Sequence, residues 1–177
     1  MRKTVPFVAL VPAVAVLLTA CSTDGPPAGW TRVEESGMTF DVPDTWVETG
    51  GLNDRWTMSW QDVEGDEATV QLAAAPALGH YTAFEAQGLL QASAQIGGLP
   101  GYEVVENHEL DVSNRELTRL DFTYEPEDGT VHDGVLLTAA RRGGQAVALQ
   151  LTGTDLDEET VVRLQESIAV AETGEEG

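Results

Sequence analysis

The sequence contains one cysteine, one lysine and only 9 basic residues against 30 acidic ones in a chain of 177. A lone cysteine excludes an intramolecular disulfide and a thiolate metal cage. The acid excess sets the net charge at −21, which phosphate backbones repel, so nucleic acid is not an expected partner. Histidine is scarce as well. His80, His108 and His132 stand 28 and 24 residues apart, which is no helical metal pair, and the cysteine has another use, so no metal site is expected. No Gly-x-Ser-x-Gly elbow or comparable signature places an exposed nucleophile. These absences point away from an enzyme and from any cofactor. An apolar content of 42% argues against global disorder, and the length suits one domain with enough interior to fold unaided.

The N-terminus carries the clearest message. Arg2 and Lys3 precede an uncharged run from Thr4 to Leu18 and a small-residue end at Thr19 and Ala20, the three zones of a signal peptide over residues 1–20. The apolar stretch to Ala20, broken by Pro6 and Pro12, is marginal for a permanent membrane span. Leu18-Thr19-Ala20-Cys21 resembles the bacterial lipobox. The resemblance implies that the Cys21 thiol receives a diacylglycerol group and that cleavage follows Ala20. Two acyl chains anchor stably where one gives only a marginal hold. Cleavage there removes Arg2 and Lys3 and no acid, so the exported chain would carry −23. The Pro/Gly-rich stretch to Gly29, residues 21–29 with the lipidated cysteine, reads as a tether reaching about 25 Å when extended. Anionic headgroups repel the acidic domain, which should therefore stand off the membrane on its extracytoplasmic side.

Residues 30–171 read as one domain, followed by a disordered acidic tail over 172–177. Short strands are expected around Thr31–Glu34 and Met38–Val42. Alternation over Arg55–Gln61 places Trp56, Met58 and Trp60 on one face, and a further strand over Ala68–Ala75 should end at Pro76. Tyr81, Phe84, Leu89, Ala92 and Ile96 recur at helical spacing, predicting an amphipathic helix over Tyr81–Ile96 with these residues against a sheet and Gly97-Gly98 as its stop. Four strands, near Tyr102–Val112, Glu116–Tyr124, Val131–Arg141 and Gln145–Leu151, should form an antiparallel meander. A last helix over Leu156–Val170 would bury Leu156, Val161, Leu164 and Ile168, with Asp155 as N-cap and Glu158 completing a capping box. The fold class is α+β, an antiparallel sheet sandwiched by helices.

The segment Gly37-Met38-Thr39-Phe40-Asp41-Val42-Pro43-Asp44-Thr45-Trp46, together with Leu117 to Tyr124 and the helix ending near Ser167-Ile168, resembles the actinobacterial LpqN/LpqT-like lipoproteins. The resemblance implies the α/β/α sandwich shared with the photosystem II protein PsbP and with Ran-binding nuclear import factors. It implies binding or accessory work, with no catalytic residues to carry over. A chain rich in Ala, Val and Gly with a single lysine fits a GC-rich genome.

Candidate sites are few. The acidic loop Asp62–Glu67 misses the EF-hand pattern, because its glycine falls one position early and position twelve is Ala73, so a solvated hairpin loop is the simpler reading. Trp56, Met58 and Trp60 could line a pocket for an apolar ligand such as an envelope lipid. They could equally be core beneath the Tyr81–Ile96 helix. The expected protein is a membrane-anchored, extracytoplasmic, non-catalytic module of the cell envelope. It would dock on a membrane transport or secretion component or, alternatively, carry an apolar small molecule between helix and sheet. The location rests on Cys21: Cys21→Ala should abolish lipid attachment and cleavage after Ala20, as read by mass spectrometry of the membrane-extracted protein, and a wild-type N-terminus at any other residue would contradict it.

Overall fold

The computed structural model describes residues 25–112, 114–142 and 144–170. Its centre is a seven-stranded antiparallel sheet in the order β3-β4-β5-β9-β8-β7-β6. These strands are β3 (Val47–Glu48), β4 (Met58–Gln61), β5 (Val70–Gly79), β6 (Glu103–Val112), β7 (Arg115–Tyr124), β8 (His132–Ala140) and β9 (Ala146–Gly153). Helix α1 (Ala83–Ser93) covers one face, while the other is covered by helix α2 (Glu158–Ser167) and a three-stranded sheet of β1 (Trp30–Glu35), β2 (Met38–Pro43) and β10 (Ala169–Val170). The expected four-strand meander is β6 to β9, and β5 returns to pair with β9. Strands β8 and β9 lie mid-sheet, covered on both faces, and from Gly134 to Ala140 every residue of β8 is buried. That is why they read as nearly continuous apolar runs, whereas β7 alternates.

The β1–β2 hairpin turns through Ser36 and Gly37, both at positive φ (49° and 81°), a two-residue turn whose twist matches that of the strands it joins. Strand β2 then buries Met38, Phe40 and Val42 against the large sheet. The intervening Asp41 is also fully buried. Its carboxylate accepts from Arg32 Nε of β1 at 2.9 Å and from Arg163 of α2, and its amide donates to Ser167 Oγ at 3.0 Å. One buried charge thus ties the first hairpin to the last helix, and the two guanidinium groups supply the compensation that a buried carboxylate requires.

Several sequence expectations are corrected. Pro76 does not end its strand: β5 runs on to Gly79, and the register with β9 slips between Ala75 and Gly79. Proline lacks a ladder donor and is tolerated at such an irregularity. The two-residue β3 carried no periodic signal and was not anticipated. The first helix is regular only to Ser93, after which a π-turn spans Ala94–Gly98 with Gly97 at φ 114°. Asp157, not Asp155, caps α2, its carboxylate accepting from the Thr160 amide and hydroxyl at 2.9 Å each. Helix α2 stops at Ser167, and Ile168 becomes extended so that Ala169 and Val170 can pair with β2. Its buried residues Val161 and Leu164, with Ile168 beyond, match three residues of the expected stripe, while the fourth, Leu156, precedes the helix and is half-buried.

Gly134 on β8 pairs with Phe122 on β7, and a Cβ at position 134 would lie 2.2 Å from the Phe122 ring. The glycine is what lets that ring lie flat across the neighbouring strand. Asp41→Asn keeps the shape but leaves Arg32 and Arg163 without their shared anion, and should cost about 3 kcal/mol of unfolding free energy in urea. Arg32→Gln, which removes the more exposed guanidinium, should cost clearly less.

Candidate functional site

Helix α1 begins with a capping box: Thr82 Oγ1 accepts from the Glu85 amide at 3.1 Å, and Glu85 accepts from the Thr82 amide at 2.9 Å. The Thr82 amide and hydroxyl, both donating to Glu85 Oε2, hold the Glu85 carboxyl below its usual range. The Thr-x-x-Glu spacing that signals this cap is present in the sequence. Two further bonds set the helix on the sheet: the Ala83 amide donates to Glu116 Oε2 at 3.2 Å, and Thr138 Oγ1 donates to the Ala83 carbonyl at 2.9 Å. Thr118 and Thr138 share a hydroxyl–hydroxyl bond across β7 and β8.

Which side of α1 meets the sheet is the main departure from expectation. Ala83, Ala86, Gln87 and Leu90 are buried. Tyr81, Phe84, Leu89, Ala92 and Ile96, the five residues expected to form the buried stripe, are all exposed, Phe84 by 58% and Ile96 by 87%. All five face solvent, Tyr81 ahead of the helix and Ile96 in the π-turn after it. The inversion follows from the sheet beneath, where Ala140 and Ala146 meet Ala83 and Ala86. Small side chains on both surfaces bring the helix in close, and Leu90 alone reaches the larger cluster of Leu120, Phe122 and Leu136. Glutamine and alanine supply too weak a hydropathy contrast for the sequence to show which side is buried.

Phe84 also borders a cleft of about 750 Å³ where α1 starts beside the ends of the β6–β7 and β8–β9 hairpins. Its lining includes Ala83, Glu109, Leu110, Val112, Asn114, Arg115, Glu116, Thr118, Arg141 and Arg142. Arg115 Nη2 donates to the carbonyls of Gln165 and Glu166 at 3.2 and 3.1 Å, closing the end of α2. Burial lowers the pKa of this guanidinium, and its buried Nε has no partner among the described residues. The cleft is lined by charges of both signs, with Glu109 and Glu116 beside Arg141 and Arg142, and no Ser, Cys or His is in its described lining.

The residues singled out from sequence lie elsewhere. Leu18, Thr19, Ala20 and Cys21 fall outside the described residues. Trp60 is buried and meets Phe40 edge-on at 5.4 Å between ring centroids. Half-buried Met58 packs in the same cluster, on the face away from α1. Trp56 instead packs with the Leu90 cluster on the α1 side, so the three do not share a face. The alternation fails because β4 begins only at Met58: the Leu52 amide returns to the Trp56 carbonyl at 2.8 Å, and Asn53 Oδ1 accepts from the Arg55 and Trp56 amides. Asp62 turns inward, its carboxylate accepting from the amides of Val63, Thr69 and Val70, so it organises the β4–β5 connection. His108 lies 3.3 Å from Glu106 and 4.0 Å from Asp121, while His132 Nδ1 lies 3.3 Å from the Tyr124 hydroxyl. Among the described residues no group of three or more His, Cys, Asp or Glu is placed to hold a metal ion.

Two solved structures share most of this architecture. Cyanobacterial PsbP (CyanoP) from Synechocystis sp. PCC 6803 matches at 16% identity and a TM-score of 0.55, over 86% of this chain and 98% of its own. The domain has a PsbP-like fold. LpqN of Mycobacterium tuberculosis, a protein involved in cell envelope biogenesis, matches at 16% identity and a TM-score of 0.51, over 80% of this chain and 90% of its own. No family model and no curated protein sequence matches the chain. The fold is what these likenesses establish.

The inverted helix makes a stability prediction. Phe84→Ser should change the urea unfolding free energy by no more than about 0.5 kcal/mol, whereas Leu90→Ala should cost roughly 2–5 kcal/mol. The reverse ranking would put the stripe back against the sheet.

Proposed function

We propose that the protein is a lipid-anchored, extracytoplasmic accessory module of the cell envelope, non-catalytic, and that it docks on a membrane transport or secretion component through the outer face of α1. The observation that carries this reading is the outward stripe itself. On a chain with net charge −21, Phe84 and Leu89 on α1 and Ile96 in the π-turn beyond it are large apolar side chains left exposed. Apolar residues gathered in one place on an otherwise charged surface mark a site for association. A helix seated on small side chains can also present large ones to a partner without loosening its own attachment.

The envelope location rests on the lipobox-like Leu18 to Cys21, and the likeness in fold to LpqN, which is involved in cell envelope biogenesis, fits it. Among the described residues no helix is long and apolar enough to cross a membrane, and in this reading attachment is through the lipidated Cys21. Tethering raises the local concentration of the domain near membrane partners, and contacts weak in solution then become sufficient. Carriage of an apolar ligand beneath the tryptophans gains no support from their packing, since Trp60 fills the core.

Photo-crosslinking in the native cell tests the docking. A photoreactive residue at position 84 or 96 should capture one membrane protein, and one at the exposed Glu106 position should not. Phe84→Glu should abolish capture from position 96 while leaving the unfolding midpoint unchanged. Capture from 106 in preference to 84 and 96 would move the contact off α1, and capture from none of them would end the docking reading.

A further inference from the structure

Helix α1 contains a glycine that its own fold does not use. Gly88 lies exposed in the middle of the helix, and a Cβ built there would meet nothing within 4 Å. Its backbone is helical, so no left-handed conformation calls for glycine either. Glycine inside a helix is destabilising relative to alanine. A destabilising residue that relieves no clash within the chain points to a body outside it that needs the room.

The surroundings give that room a shape. With about 3.6 residues per turn, Gly88 and Ala92 fall opposite the buried Ala83, Ala86, Gln87 and Leu90, in the middle of the outward side. Phe84 and Leu89 stand to either side, 58% and 39% exposed, and Ile96, one four-residue step past Ala92, is 87% exposed. The series Phe84, Gly88, Ala92, Ile96 thus runs large, small, small, large, a saddle between two bulky side chains. Its ends are about 18 Å apart along the axis, and a helix with its side chains is about 10–12 Å across. In a chain with 22% charged residues, none of the seventeen from Ala86 to Tyr102 carries a charge. Charge enters at the two ends of the helix, where Glu85 is held in the cap by Thr82 and Arg55 reaches Ser93 Oγ at 2.9 Å.

We propose that this saddle receives an α-helix of the docking partner, uncharged where it crosses α1, packed on Gly88 and Ala92 and held between Phe84 and Ile96. The inference rests on docking through α1 and names the element that docks. Small residues at a crossing point let two helix backbones approach closely, and the large flanking side chains then pack along the sides of the incoming helix. An uncharged helix suits the saddle, because a charged one would lose its hydration there without gaining a partner. A second copy of this chain is disfavoured, since it would bring together two bodies of net charge −21.

Photo-crosslinking from positions 84 and 96 in the native cell, with the captured residues mapped by tandem mass spectrometry, reads the occupant and its geometry together. Both positions should capture one membrane protein, on one short segment, at sites with the three-, four- or seven-residue spacing of a helix. Gly88→Leu should cut capture from both positions about tenfold, and Gly88→Ala about threefold, while the unfolding midpoint stays unchanged or rises, as loss of a helix glycine requires. Gly88→Leu adds apolar surface, so a contact made by apolar area alone would strengthen instead. Val162→Leu, which adds bulk to the exposed side of α2, should leave capture unchanged. Undiminished capture in Gly88→Leu overturns the saddle and leaves docking through α1 standing, and so do captured sites scattered over several segments. Crosslinks to lipid or to a second copy of the chain overturn the helix as occupant. Absence of capture from either position in the chain with Gly88 in place overturns docking itself and this inference with it.

Discussion

The contact between Ala83 and Ala86 on α1 and Ala140 and Ala146 on the sheet governs more of this structure than any larger cluster does. Alanine on alanine lets a helix approach closely, and it removes any need to turn the bulky side chains inward. The capping box, the Thr138 bond to the Ala83 carbonyl and the Glu116 bond to the Ala83 amide then fix the rotation of the helix at its first turn. Once that rotation is set, Phe84 must lie outside, at the border of the arginine-lined cleft. A helix that buried its aromatic would have had neither an apolar outer face nor that cleft wall.

The opposite face of the sheet is organised differently. Phe40, Trp60, Leu72, Leu149 and Leu164 make a conventional large-side-chain core there, so most of the burial that stabilises the domain falls on the side of α2 and the small sheet. The two faces divide the work, one supplying cohesion and the other presenting surface. The same division separates the tryptophans: Trp60 is buried in the cohesive core, while Trp56 is half-buried on the α1 side.

Much of the fold was legible in the sequence. The meander from β6 to β9, the buried residues of α2 and the helices covering a central sheet all follow from period and turn signals that tertiary packing reinforced. What failed did so for identifiable reasons. The spacing of Tyr81, Phe84, Leu89, Ala92 and Ile96 marks one side of a helix but carries no sign for inside or outside, and the small residues opposite looked like the polar side. The alternation read over Arg55–Gln61 overran its strand by three residues, Arg55, Trp56 and Thr57, into a turn held by Asn53. The cleft was invisible because it gathers residues near 83, 110–118 and 141–142 from separate elements. The one local clue was Arg141-Arg142, the only adjacent basic pair after Lys3 in a strongly acidic chain.

The Asp41 link between the first hairpin and α2 has a mechanical side. Strand β2 pairs with β1 on one edge and with β10 on the other, so the first and last described strands lie in one small sheet, and Arg163 and Ser167 fasten α2 to that same strand. A pull applied at Trp30 therefore cannot peel away the N-terminal hairpin by itself. The load passes through Asp41 into the C-terminal helix and loads both ends of the chain together, and a domain hung by its N-terminus would resist detachment as one unit.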